Sequence, residues 1–147
     1  MRAVVQRVYS AECTVDGEIT GTIDEGLVVF QGIGEGDGKG EIDYLVDKIL
    51  GLRIFEDEDG KMNVSLRDSG GGILLIPQFT LYGDVSRGKR PSFNEAAPPE
   101  KAEELYERTI EVFREDWDDV QTGRFAEMMD ITVENDGPVT ILIDTDE

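Results

Sequence analysis

The chain contains no histidine and a single cysteine, Cys13, among its 147 residues. That removes most of the usual hydrolytic machinery. A Ser-His-Asp triad, a Cys-His pair and a histidine-ligated metal are all excluded. Cys13 lies in a strand-like run, CTVDGEIT, and reads as a small buried hydrophobe rather than a nucleophile. One thiol forbids an intrachain disulfide and a cysteine zinc cluster, which suits a reducing cytoplasm. Any hydrolysis must therefore use carboxylates, hydroxyls, backbone amides or the substrate's own groups. No particular carboxylates stand out, because 33 acidic residues against 14 basic ones give a formal charge of −19. No metal or cofactor is expected.

Three further features bear on chemistry. GIGEGDG at 32–38 has the position of a nucleotide-binding loop, between a strand pattern and a helix pattern. A dinucleotide fingerprint needs glycine where Asp37 stands, and Glu35 and Asp37 would repel a pyrophosphate, so the run reads as a flexible surface turn. Asn63-Val64-Ser65 matches a glycosylation acceptor without the secretory context that gives it meaning. The third feature is the distribution of charge. From Ser69 to Asn94 the only acid is Asp84, while Arg87, Lys89 and Arg90 fall together. Burial accounts for the uncharged ILLI at 73–76 but not for the basic run after it. A positive patch on a chain that otherwise repels polyanions points to a local anionic partner. The overall acidity reads as a solubility adaptation, of the kind a salty cytoplasm would favour.

Short elements must position these residues. AVVQRV at 3–8 and CTVDGEIT at 13–20 read as a strand and a hairpin, with Asp16-Gly17 at the turn. The N-terminal run MRAVVQRVYS is thus a strand and not a signal peptide. GLVVFQGI at 26–33 is a buried strand. Ile42, Leu45, Val46, Ile49 and Leu50 recur at helical spacing, with Gly51 as the stop. LRIF at 52–55 and ILLI at 73–76 read as strands, and EDEDG at 56–60 as a turn. Pro98-Pro99 opens a second helix whose inner face is Ala102, Leu105, Tyr106, Ile110, Phe113 and Trp117. A half-buried strand around Met129, Ile131 and Val133 is broken by Asn135-Asp136-Gly137-Pro138, and VTILI at 139–143 is the last strand. The expectation is one α+β domain over 1–147, with many short, mainly antiparallel strands and two main helices. No run approaches the ~20 apolar residues of a membrane span.

Several runs, in order, carry a family likeness: VQRV at 5–8, VDGE at 15–18, KILGLRIFEDEDGKMN at 48–63, QFTL at 78–81, RPSF at 90–93 and NDGPVT at 135–140, with TGRFAEMM at 122–129. From end to end the chain resembles the D-aminoacyl-tRNA deacylases. The resemblance implies a homodimer with its active sites at the subunit interface, acting on tRNA that carries a D-amino acid, with mischarged glycyl-tRNA as a second candidate substrate. Gln78, Phe79 and Thr80 would line the pocket for the terminal adenosine and the ester. Gly137-Pro138, joined by a cis bond, would reach into the partner's pocket and turn L-residues away by backbone contact, with Arg7 and Met129 in support. Arg87, Lys89 and Arg90 are the candidate tRNA contacts.

The chemistry that follows is ester hydrolysis. The amides of Phe79 and Thr80 would stabilise the oxyanion, Gln78 would assist, and the 2′-hydroxyl of the terminal adenosine would help to activate water. Thr80 as nucleophile is the alternative, although a hydroxyl needs a neighbouring base. One position departs from the family: Pro77 stands where serine is usual, so any contact from that hydroxyl or amide is lost. Two other functions remain: a nucleic-acid-binding module on the same fold, and a structural dimer with a decayed site.

Overall fold

The computed structural model describes residues 1–147. In chain order its strands are β1 (Arg2–Val15), β2 (Glu18–Ile23), β3 (Gly26–Gly32), β4 (Phe55–Glu56), β5 (Met62–Val64), β6 (Gly72–Pro77), β7 (Val120–Thr122) and β8 (Asp130–Asp144). Its helices are α1 (Lys39–Gly51), the single turn α2 (Leu66–Ser69) and α3 (Pro99–Asp116), with a 3-10 turn at Phe79–Tyr82. α+β is therefore right, as are two main helices. The strands are not uniformly short. β1 and β8 run to 14 and 15 residues because they pair antiparallel with each other along nearly their whole length.

The Asp16-Gly17 turn has φ of 51° and 80°, the double left-handed conformation that a two-residue hairpin requires. It folds β2 back on β1, while β3 pairs with the earlier half of the same β1 edge. β6 then adds parallel to β3, and β7 parallel to β6. Parallel neighbours need long crossovers. The first crossover carries α1, the β4–β5 hairpin and α2, and the second carries α3. The sheet is thus mixed, in the order β2-β1-β3-β6-β7, with β8 on the other edge of β1. Its two ends approach each other, and the Thr20 hydroxyl donates to the Thr122 carbonyl at 3.0 Å, so the sheet curls into a near-barrel.

β3 and β6 are buried on both faces, as parallel strands at the centre of a sheet must be. Leu27, Val29, Ile73 and Leu75 meet the inner faces of α1 and α3, where Ile42, Leu45, Ile49, Tyr106 and Phe113 lie. Val28, Leu74 and Ile76 point the opposite way, into a second cluster with Val8, Cys13 and Ile23. Cys13 is fully buried there. β1 serves both clusters, Ala3 and Val5 the first, Val8 and Ala11 the second, and Arg7 sits where it changes face.

Three local expectations need correction. LRIF shrinks to a strand at Phe55–Glu56; Ile54 is buried, and its carbonyl accepts from Arg7 instead of a neighbouring strand. The turn within 32–38 is not loose, because buried Asp37 accepts from the Gly34 amide and the Met1 ammonium at 2.6 and 2.9 Å. Asn135–Pro138 does not end a strand: β8 continues through it as a bulge. No helix is long and apolar enough to cross a membrane.

Candidate active site

β6 ends at Pro77, and the chain turns at once into the 3-10 helix. The Gln78 amide donates back to the Gln31 carbonyl at 2.7 Å, which fixes the start of the turn. Leu81 and Gly83 donate to the carbonyls of Gln78 and Thr80 at 3.3 and 2.9 Å. The amides of Phe79 and Thr80 open this turn, and the first donors of a helical turn have no partner within it. Both residues are exposed. The Gln78 side-chain amide donates to the Thr80 hydroxyl, and no carboxylate accepts from that hydroxyl. The two amides that open the turn and a hydroxyl without a base therefore share one exposed corner.

The Phe79 ring, 57% exposed, meets Phe93 edge-on with centroids 5.1 Å apart. Phe93 ends a loop closed by reciprocal backbone hydrogen bonds between Asp84 and Ser92, at 2.8 and 3.0 Å. Hydrogen bonds from Ser86 hold the Asp84 carboxyl below the usual carboxylate range. Arg87, Lys89 and Arg90 occupy this loop, exposed and free of ion pairs. Every other arginine is engaged with a carboxylate or a backbone carbonyl.

The second group lies at the β8 bulge. Asn135 pairs with Val8 and Thr140 with Gln6, so four residues, Asp136 to Val139, stand opposite Arg7 alone. The Gly137-Pro138 bond is cis, as the family resemblance implies, and both residues are exposed. Gly137 has φ of +135°, open only to glycine in practice. Arg7 is not the surface charge its type suggests; it is 4% exposed and hydrogen-bonds to Asp136 and Ile54.

These two groups do not meet within one chain. Arg7 pairs with Leu27, and Leu27 with Ile73; Gln78 lies five residues beyond Ile73. At ~3.3 Å per residue that is about 16 Å along the strands, with three strand spacings across as well. Met129 falls on the Gln78 side. Its sulfur lies 2.7 Å from where a Gly123 Cβ would be, and Pro77 Cδ lies 3.5 Å from the same point. Sequence reasoning missed the roles of the Gln31 carbonyl, the Ile54 carbonyl and Asp136. Backbone carbonyls leave no mark in residue type, but Asp136 stands inside NDGPVT, next to the glycine it holds.

The family model for D-Tyr-tRNA(Tyr) deacylase matches residues 4–144. A D-aminoacyl-tRNA deacylase of Thermotoga petrophila is 55% identical over 145 residues, covering 99% of this chain and 97% of the relative. That of Symbiobacterium thermophilum is 53% identical over 147 residues, covering 100% and 97%. Among solved structures, a c-Myc DNA unwinding element binding protein superposes with a TM-score of 0.94 at 41% identity, over 99% of each chain. A probable eukaryotic D-amino acid tRNA deacylase superposes at 0.81 over 97% of each chain; at 18% identity it shares the fold. The family model and the relatives together define a hydrolase that acts on charged tRNA. The chain belongs to the D-aminoacyl-tRNA deacylase family.

Proposed function

We propose that this protein frees tRNA from D-amino acids while sparing L-aminoacyl-tRNA, working in the cytoplasm as a homodimer whose sites each draw on both copies. The amides of Phe79 and Thr80, the first donors of the 3-10 turn, carry the chemistry. Water attacking the ester carbonyl puts negative charge on its oxygen, and two N–H groups at one corner can receive that charge. Each such donor is worth about 2.7–4 kcal/mol in comparable hydrolases. Water passes its proton by way of the 2′-hydroxyl of the terminal adenosine, and the departing 3′-oxygen ends protonated. The products are a free D-amino acid and tRNA. Gln78 braces the Thr80 hydroxyl, and Arg87, Lys89 and Arg90 meet tRNA phosphates.

Selectivity falls to Gly137 and Pro138. Their distance from Gln78 within one chain supports delivery from a second copy. A wall of backbone rejects by shape and not by side-chain chemistry, so D-residues of many kinds should pass, and glycine with them. The test is single-turnover deacylation of one amino acid on its tRNA in both configurations. Rapid release of the D-form with the L-form intact is expected; equal rates, or no release of either, would sink the proposal.

A second reading has support from one observation, the 0.94 superposition on a DNA-binding relative. Chain length does not separate the two readings, since each chain covers 99% of the other. Affinity for DNA without deacylation would favour the binding module.

A further inference from the structure

Arg7 is a buried cation whose partners come from two directions. Its Nη1 donates to the Ile54 carbonyl at 2.7 Å. Nε donates to the Asp136 carbonyl at 3.2 Å, and Nη2 to Asp136 Oδ1 at 3.3 Å. Asp136 Oδ2 also lies 3.3 Å from Nε. One residue thus offers the same guanidinium its backbone oxygen and its carboxylate. The other nearby carboxylate, Glu56, is 3.9 Å away and 60% exposed, so solvent screens it.

The carbonyl of Asp136 belongs to the peptide plane that enters Gly137. Held against Arg7, that plane cannot turn freely. Downstream, the β1–β8 ladder resumes at Thr140. Only Gly137, Pro138 and Val139 are left between the two anchors. Ile54 is 7% exposed within the main core, so the chain of contacts Ile54–Arg7–Asp136 ties the bulge to the rigid part of the fold.

We infer that Asp136 is a positioning residue for selectivity: with Arg7 it sets the direction in which the Gly137 carbonyl faces the substrate, without touching substrate itself. This rests on the reading of Gly137-Pro138 given above. Asparagine at 136 would keep the side-chain oxygen but lose the charge facing a buried guanidinium. Alanine would leave Arg7 with Glu56 as its one carboxylate. The Asp136 carboxylate has a second neighbour that reports on it. Hydrogen bonding to it, and repulsion from it, push the Tyr9 phenol above its ordinary range; Arg7 opposes the effect and Glu56 adds to it.

The experiment compares wild type, Asp136→Asn, Asp136→Ala and Glu56→Gln as full chains, in single-turnover release of D- and L-aminoacyl esters. Asp136→Asn should lower the D-over-L ratio about tenfold or more, equivalent to ~1.4 kcal/mol, chiefly by admitting the L-form. Asp136→Ala should lower it further, and Glu56→Gln should leave it within about twofold. The Tyr9 ring resonance, assigned with Tyr9→Phe, should titrate at lower pH in Asp136→Asn, which shows the carboxylate in place independently of activity. An unchanged ratio overturns the positioning role, whether Tyr9 moves or not. A wild type that fails to separate D from L overturns this role and the proposed function together. A selective wild type beside an equally selective Asp136→Asn overturns the role alone.

Discussion

Replacing Gly137 by alanine perturbs the proposed selectivity element at its most constrained atom. The new methyl would lie 2.7 Å from the Val139 amide nitrogen, 2.9 Å from Val139 Cγ2 and 3.5 Å from Arg7 Nη2. The first distance is one that real Cβ atoms essentially never show, and the obstacle is backbone, so the bulge itself must move. The φ of +135° adds strain for any L-residue, on the order of 1–3 kcal/mol. Gly137 is exposed and outside both core clusters, so displacement of the bulge relieves the strain without unfolding. If the displaced bulge forfeits ~1.4–3 kcal/mol of transition-state discrimination, the D-over-L rate ratio falls about 10- to 150-fold. The assay is single-turnover release from matched D- and L-aminoacyl-tRNA, with thermal melting to verify folding. A folded Gly137→Ala protein with wild-type D-rate and wild-type rejection of L would refute the reasoning.

Thr80→Ala deletes the hydroxyl but keeps the amide. Its D-aminoacyl-tRNA rate should stay within about tenfold of wild type, while a substrate lacking the terminal 2′-hydroxyl should react poorly with both proteins; a dead but folded Thr80→Ala would make Thr80 the nucleophile. Exchanging Arg87, Lys89 and Arg90 together for glutamine should weaken tRNA binding and flatten its salt dependence, by up to about 0.9 in the log–log slope per lost phosphate contact. The D-over-L ratio should not move, and unchanged binding at low salt would count against the loop. Deacylation should survive chelation of transition metals, since the chain has no histidine and one buried cysteine; loss restored by zinc or manganese would contradict amide catalysis.

What the sequence reveals here follows the range of the forces involved. Helical spacing in α1 and the Pro98-Pro99 start of α3 are local, and both helices lie where the pattern puts them. The Asp16-Gly17 turn is local too. β7 has three residues and depends on β6 for its existence, so no periodicity could announce it. Joining of the two expected segments of β1, and the passage of β8 through Gly137-Pro138, depend on pairing between opposite ends of the chain. Residue type alone gives no sign that Arg7 and Asp37 are buried, because charged residues are mostly exposed. Each is buried by a specific partner, Asp136 in one case and the Met1 ammonium in the other, which only the folded arrangement brings near. The Gln78–Thr80 turn and the Gly137-Pro138 pair were legible as motifs. Their separation across the sheet was not.

That separation leads to the central claim, that a working site joins the Gln78–Thr80 corner of one copy to the Gly137-Pro138 bulge of another. Complementation between two impaired variants tests it most directly. Thr80→Pro removes one of the two amides that open the turn, and Gly137→Ala displaces the bulge. In a mixed dimer the Gly137→Ala chain supplies a sound corner and the Thr80→Pro chain a sound bulge. Unfolding, mixing and refolding the two at equal amounts should therefore restore selective D-aminoacyl-tRNA hydrolysis to about a quarter of wild type, since half of randomly paired dimers are mixed and each holds one intact site. If, with mixed dimers formed, the mixture releases the L-form at the average rate of the separate variants instead of about half that average, both halves of the site come from one chain and the account is wrong.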